Sequence, residues 1–163
     1  MDKEEVQVAK GTTKGLLSRI LTFKTIKDMS GKKDYLHRWS LWFPGGISLK
    51  LHKIVRTDED RCEHDHPWWF IRVILAGGYV ESINGKPFAR KPWRPWAFWR
   101  IYPCLPSFKH RIIKLPAGSN WSLVLCGKSR GYWGFYTKAG WMPWQKFINH
   151  VKRVLWCDDR RSV

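Results

Sequence analysis

The stretch that decides the fold is residues 62–81, CEHDHPWWFIRVILAGGYVE. A His-x-His pair, His64 and His66, comes first. The strand-forming run WFIRVIL (69–75) follows, and then a Gly-Gly turn signal leads into YVESI (79–83). On an extended chain, residues i and i+2 project from the same face, so the two imidazoles are placed to share one metal ion. Neutral imidazole suits iron, zinc, nickel, copper or manganese to differing degrees. A bare His-x-His recurs by chance, and here its context strengthens it. A third histidine, His110, sits in the strand-like run SFKHRIIKL (107–115). There Phe108, His110 and Ile112 share one face and Lys109 and Arg111 the other, so His110 is expected to point inward with apolar neighbours.

Outward from this stretch the pattern remains that of short strands. YLHRWSLWF (35–43) and ISLKLHKIV (47–55) flank a PGG turn. The second run alternates Ile47, Leu49 and Leu51 against Ser48, Lys50 and His52, which puts His52 on the polar side of its strand. NGKP (84–87) is a turn signal, and residues 96–102, NWSLVLC (120–126) and GYWGFYT (131–137) complete the series. Many short strands with turns every 8–12 residues indicate a β-sandwich or barrel. Two helices are expected at the ends. TTKGLLSRILTFKTIKDM (12–29) has amphipathic spacing, with Thr12 or Thr13 as N-cap and Gly31 near its end. PWQKFINHVKRVLW (143–156) has Pro143 at or near a first turn. The chain of 163 residues suits one domain, divided as a tail and helix (1–34), a β-barrel (35–142) and a C-terminal helix and tail (143–163).

His-x-His, a strand with a glycine turn, and a distant strand histidine together resemble the cupin superfamily. HDHPWWF, ILAGGYVE, HRIIKL and WGFYTKAGWMPW look more closely like small cupin-like proteins of phage and prophage genomes, over about residues 35–147. The resemblance implies a mainly β fold, the double-stranded β-helix (jelly-roll) barrel, with a divalent metal on His64, His66 and His110. Iron is favoured, with zinc, nickel or manganese as alternatives. It also implies an iron(II) oxygenase or dioxygenase-like enzyme, and a homodimer. The chain departs from the general cupin pattern in one respect. Where that pattern places a glutamate four or five residues after the second histidine, this chain has Phe70 and Ile71. A three-histidine site with open positions results.

Arg72 and Glu81 are the candidate catalytic residues. If the strand stays regular across Pro67, then Trp68, Phe70, Arg72 and Ile74 share the histidine face, and a buried arginine needs an anionic partner. That partner is a substrate carboxylate or phosphate, or Glu81 itself. Glu81 is also the main carboxylate candidate for the metal. Asp65 points away from its histidine neighbours and is expected to anchor a loop. His52, His37, Tyr79, Tyr102, Trp99 and Trp133 are further candidates for the pocket.

Charge adds a class of partner. The net charge is +17, and no carboxylate occurs from Ser82 to Cys157. Such a balance attracts polyanions, so an anionic small-molecule substrate and nucleic acid are both candidate partners. KPFARKPWRPWAFWR (86–100) interleaves cations with aromatics, as a surface that tracks phosphates and stacks bases does. A non-catalytic module engaging nucleic acid or a host protein is therefore the alternative to an enzyme. No run is long and apolar enough to span a bilayer, and the charged start lacks a signal-peptide core. A cytoplasmic protein is expected, in the host cytoplasm if phage-encoded. The four cysteines form no CxxC pair and are expected as free thiols.

Overall fold

The computed structural model describes residues 20–58, 62–97 and 100–150, with His150 described in its backbone only. The described strands are β1 (Leu21–Lys27), β2 (Asp34–Trp42), β3 (Ser48–Ile54), β4 (Phe70–Ala76), β5 (Tyr79–Ile83), β6 (Lys86–Arg90), β7 (Ile101–Cys104), β8 (Arg111–Lys114), β9 (Asn120–Cys126), β10 (Gly134–Thr137) and β11 (Gly140–Pro143). One helix, α1 (Trp144–His150), follows. The strands form a six-stranded sheet in the order β1-β2-β3-β9-β4-β7, a three-stranded sheet β6-β5-β8, and the hairpin β10-β11. Leu36, Ile54 and Ile74 of the larger sheet pack with Tyr79 and Ile112 of the smaller one, so the two sheets face each other across a shared core.

Turn chemistry fixes the small sheet. Asn84 and Gly85 both have positive φ (52° and 77°), the requirement of a type I′ hairpin turn, and they set the β5–β6 register that pairs Glu81 with Phe88. Gly77 opens the turn between β4 and β5 at φ +81°, and a Cβ there would lie 2.0 Å from the Ser119 carbonyl oxygen. Backbone conformation and close approach therefore both demand glycine at this position.

Three sequence expectations need correction. Leu21–Lys27 is a strand paired along its length with β2, not the end of a helix. Its apolar residues fit either period: Leu21 and Phe23 lie opposite Leu41 and Trp39, and the Phe23 and Trp39 rings meet at 5.0 Å. Of the rest of the expected 12–29 helix, Asp28 and Met29 lie in the turn after β1, Ile20 precedes β1, and residues 12–19 lie outside the described residues. Secondly, the alternation of β3 runs opposite to the usual sense. Ser48, Lys50 and Ile54 are buried and His52 is half-buried, whereas Ile47 is exposed. The polar series faces the interior: His52 lines the cavity between the sheets, and Lys50 is covered by the Trp68 ring. Thirdly, Cys62 is disulfide-bonded, with its partner outside the described residues, while Cys104 and Cys126 are buried free thiols.

At the C-terminal side, helix α1 covers part of the expected 143–156 span, and the remainder lies outside the described residues. Seven residues make too short a helix to persist alone. It is held by Phe147, which stacks on Phe135 of β10 with centroids 4.0 Å apart. Burying such a ring contributes about 2–3 kcal/mol.

Gly77→Ala is expected to destabilise the protein by about 2–4 kcal/mol, combining strain at positive φ with the backbone clash. Gly118, at φ +71° with open space around its Cβ position, is the control. Gly118→Ala is expected to cost only about 1 kcal/mol. Thermal denaturation of the two variants measures the difference.

Candidate metal centre

The site is built on a pair of backbone hydrogen bonds. His64 N–H donates to the His110 carbonyl (3.0 Å) and His110 N–H to the His64 carbonyl (3.1 Å). Residues so opposed present their side chains on one face. His64 also bridges to Phe135, which ties the segment to the β10-β11 hairpin. His66 N–H bonds the Pro106 carbonyl (3.2 Å), holding the second histidine beside the strand that carries the third.

Alternation then separates two jobs. Glu63 and Asp65 point away from the histidines and staple loops. Glu63 accepts from Ser82 Oγ (2.7 Å), Asn84 N (3.1 Å) and Gly85 N (3.0 Å). Asp65 accepts from Gly134 N (2.7 Å) and Trp141 Nε1 (3.2 Å), the anchoring role expected of it. His64 and His66 point inward and meet His110. One nitrogen from each of the three rings lies within 4.8 Å of the others, an arrangement that could hold a metal ion.

The protonation pattern follows from the surrounding partners. His110 Nδ1 donates to Glu81 Oε2 at 2.6 Å, which leaves the Nε2 lone pair facing the cluster. His64 Nδ1 lies 3.4 Å from the Cys62 carbonyl, a contact that suits an Nδ1–H donor. The Nε2 atoms of His66 and His110 are 3.0 Å apart. Two nitrogens each about 2.1 Å from one ion and at right angles across it stand about 3 Å apart. Burial pushes the His66 imidazole well below its ordinary value, and the nearby charges of His110, His64, Arg72 and Arg38 act in the same direction. His66 is thus a neutral donor at physiological pH.

Behind His110 lies Glu81, fully buried on β5. Arg72 Nη1 donates to Oε2 (2.8 Å), and Arg72 Nη2 and Arg90 Nε both donate to Oε1. Burial alone would raise this carboxyl. The hydrogen bond from His110 and the charge of Arg72 outweigh it and hold Glu81 far below the usual carboxylate range. The expected internal partner of Arg72 is therefore present. Neither Arg72 nor Glu81 reaches the histidine cluster as a free group: one oxygen of Glu81 is spent on the rear nitrogen of His110, and Arg72 is spent on Glu81.

The three histidines open onto a cavity of about 720 Å³ between the sheets. Phe70, Trp133 and Phe135 supply apolar wall, and Arg38, His52 and Ser122 supply polar wall. Of the other candidates, Tyr79 lines the cavity, while Tyr102 packs on the guanidinium of Arg90 at 4.6 Å. His37 contacts Thr25 and Asp34 instead, and Trp99 lies outside the described residues. Arg38 was missed by sequence reasoning. Its signal was the small polar series on two neighbouring strands, Ser48-Lys50-His52 and Asn120-Ser122, which marks a polar interior.

No family profile matches the chain, and no curated protein matches it in sequence. Solved structures do match. A cupin 2 conserved barrel domain protein from Rhodopseudomonas palustris superposes with TM-score 0.55 at 10% identity, over 74% of this chain and 80% of that one. A cupin-2 domain protein from Rhodospirillum rubrum gives TM-score 0.51 at 16% identity, over 74% and 78%. The iron(II) form of HppE gives 0.51 at 10% identity, over 67% of this chain and 57% of that one. This chain thus spans little more than half the length of HppE. At these identities the likeness is one of fold: the chain has the fold of cupin-2 domain proteins. Among the described residues, no helix is long and apolar enough to cross a membrane.

Two outcomes follow from the buried charges. Glu81→Ala strands Arg72 in the interior and is expected to cost about 3–5 kcal/mol. The double variant Arg72→Met with Glu81→Leu is expected to be more stable than Glu81→Ala, as denaturant titration would show. The second outcome concerns pH. Burial, then the charges of Arg38 and Lys50, hold His52 well below 6.5 in the fold. The unfolded chain takes up that proton near 6.5 and the folded chain does not, so stability is lost as pH falls below this value. The melting temperature of metal-free protein is expected to drop from about pH 7 to about pH 5.5, and less steeply in His52→Gln.

Proposed function

We propose that the protein is a metal-dependent enzyme acting on a small molecule, with His64, His66 and His110 holding one divalent ion, iron(II) in the favoured case. The observation that carries this reading is the bond from His110 Nδ1 to the buried Glu81 carboxylate. A histidine destined for a metal donates its rear N–H to a carboxylate or carbonyl in this way, which fixes the ring and makes its free nitrogen more basic. The donor set fits: three neutral imidazoles suit a borderline divalent ion and leave coordination positions open for substrate. Bound iron(II) would supply activation of dioxygen and electrophilic polarisation of the substrate. The chain's own residues do the rest. Glu81 orients His110, Arg72 and Arg90 hold Glu81 ionised, and Phe70, Trp133 and Phe135 keep water from the reacting side of the cavity. Arg72 and Glu81 are positioning residues in this scheme. HppE, whose iron(II) form shares the fold, supports iron by analogy of architecture.

The test is elemental analysis of protein purified without a metal-affinity tag. About one iron per chain is expected, and His64→Ala, His66→Ala and His110→Ala are each expected to lose it while circular dichroism stays that of the parent. Glu81→Gln, which keeps an acceptor for His110, is expected to weaken metal binding by about 10–100-fold. Wild-type protein that holds no metal and takes none up on titration sinks the reading.

A second reading, a non-catalytic module that engages nucleic acid, draws on the outer surface. Trp96 is 74% exposed and follows the exposed cations Lys91 and Arg94. This reading expects a steep fall of single-strand binding with salt, and loss of binding in Trp96→Ala.

A further inference from the structure

We infer that Arg38 is the docking point for an oxyanion, so that the cavity's ligand is a small molecule carrying a carboxylate or phosphoryl group; the inference rests on the proposal that this cavity is the substrate site. Arg38 sits on β2 opposite His52 of β3, with both side chains on the inner face of the six-stranded sheet. Its Nε donates to His52 Nε2 at 3.0 Å. Among the described residues its terminal nitrogens make no hydrogen bond and no carboxylate pairs with it. Glu81 is taken by Arg72, Arg90 and His110. Asp28 and Asp58 also line the cavity, but neither pairs with Arg38: Asp28 accepts from Ser30 and the Lys32 and Lys33 amides, and Asp58 accepts through Oδ2 from the Ile112 amide, its Oδ1 having no partner among the described residues.

A half-buried guanidinium facing a cavity without an anion carries a desolvation cost, and no described carboxylate lowers that cost by pairing. The fold raises it. Lys50, 2% exposed on the same face, adds a second interior cation, and its ammonium is capped by the Trp68 ring at 3.8 Å rather than by a carboxylate. Trp68 thus satisfies Lys50 and closes it off, since Lys50 does not line the cavity, whereas Arg38 is left open to it. The bond to His52 fixes the plane of the guanidinium while leaving its paired terminal donors free. That is the geometry for two parallel hydrogen bonds to one carboxylate or phosphate. The same cavity holds His64, His66 and His110. A molecule anchored by its oxyanion on Arg38 can therefore present another part of itself to the histidines, which distinguishes a substrate site from a structural metal site.

The test uses metal-free wild-type protein, so that an anion cannot bind through the ion. Inorganic phosphate and acetate are the probes, and calorimetry with intrinsic tryptophan fluorescence is the readout. Saturable binding of at least one probe is expected. In Arg38→Gln, which keeps a donor for His52, it is expected to weaken by about tenfold or more. Arg38→Lys is expected to retain part of it, and Lys91→Gln on the surface all of it. The phosphate arm and the acetate arm decide which oxyanion is preferred. Should the Arg38 variants fail to fold, phenylglyoxal labelling of wild-type protein replaces them, with protection of Arg38 by the bound anion as the expected result. Binding unchanged in Arg38→Gln, no binding of either probe to wild type, or no protection of Arg38 overturns the inference. Metal uptake distinguishes the two proposals: Arg38-dependent anion binding in a protein that takes up no metal would leave the subsite standing and remove the enzyme reading.

Discussion

Everything at the centre of this molecule depends on one carboxylate. Glu81 brings a single negative charge into a region that also contains Arg72, Arg90 and the rear nitrogen of His110. Each partner comes from a different strand or its edge: β4, β6 and the segment entering β8. The carboxylate therefore acts as a joint between the two sheets as well as an electrostatic counterweight. Removing it would leave three donors facing one another without an acceptor. The hairpin turn at Asn84-Gly85 sets the register that brings Glu81 and Arg90 together, so a local backbone feature reaches the site through that ladder.

The histidine cluster was legible in the sequence because its geometry is one of parity. Residues two apart on an extended segment share a face, and the alternation around His110 gave the direction of its ring independently. Both inferences needed only local regularity, and the backbone pair between His64 and His110 supplied it. The role of Glu81 was only partly legible. Sequence offered it as one of two partners for Arg72, the other being a substrate anion, but a register shift between β5 and β8 separates Val80 from Glu81, and no spacing rule announces such a shift.

What was not legible was the sense of the six-stranded sheet. Apolar-in, polar-out alternation assumes a core filled by hydrocarbon. Here Leu49, Leu51, Leu123 and Leu125 face outward, and the inner row includes Arg38, Lys50, His52 and Ser122. Two facing sheets with a cavity between them relax the rule, since polar side chains such as Arg38, His52 and Ser122 can line the cavity rather than pack in hydrocarbon. The same assumption concealed Arg38, because Trp39 and Leu41 made the opposite face of β2 look like the buried one. Leu21–Lys27 failed for a different reason. Over seven residues, helical and strand periods place nearly the same apolar positions together, and pairing with β2 decided between them.

The absence of a glutamate after the second histidine becomes coherent once the charges are placed. Phe70 occupies that position, with its ring 4.7 Å from His66, so an apolar wall stands where a carboxylate would have approached the cluster. Glu81, the buried carboxylate bonded to the cluster, sits behind His110, where its charge is already answered by two arginines. A divalent ion on three neutral imidazoles would keep nearly its full charge, and Arg38 adds another on the same cavity. On the proposed reading such a cavity would favour a negative guest over a neutral one, because an anion offsets the cost of holding those cations partly out of water. Moving the carboxylate from the front of the histidines to the back is thus more than the loss of a ligand. It leaves the three imidazoles without a carboxylate beside them, a gap that an anionic ligand would fill on the proposed reading.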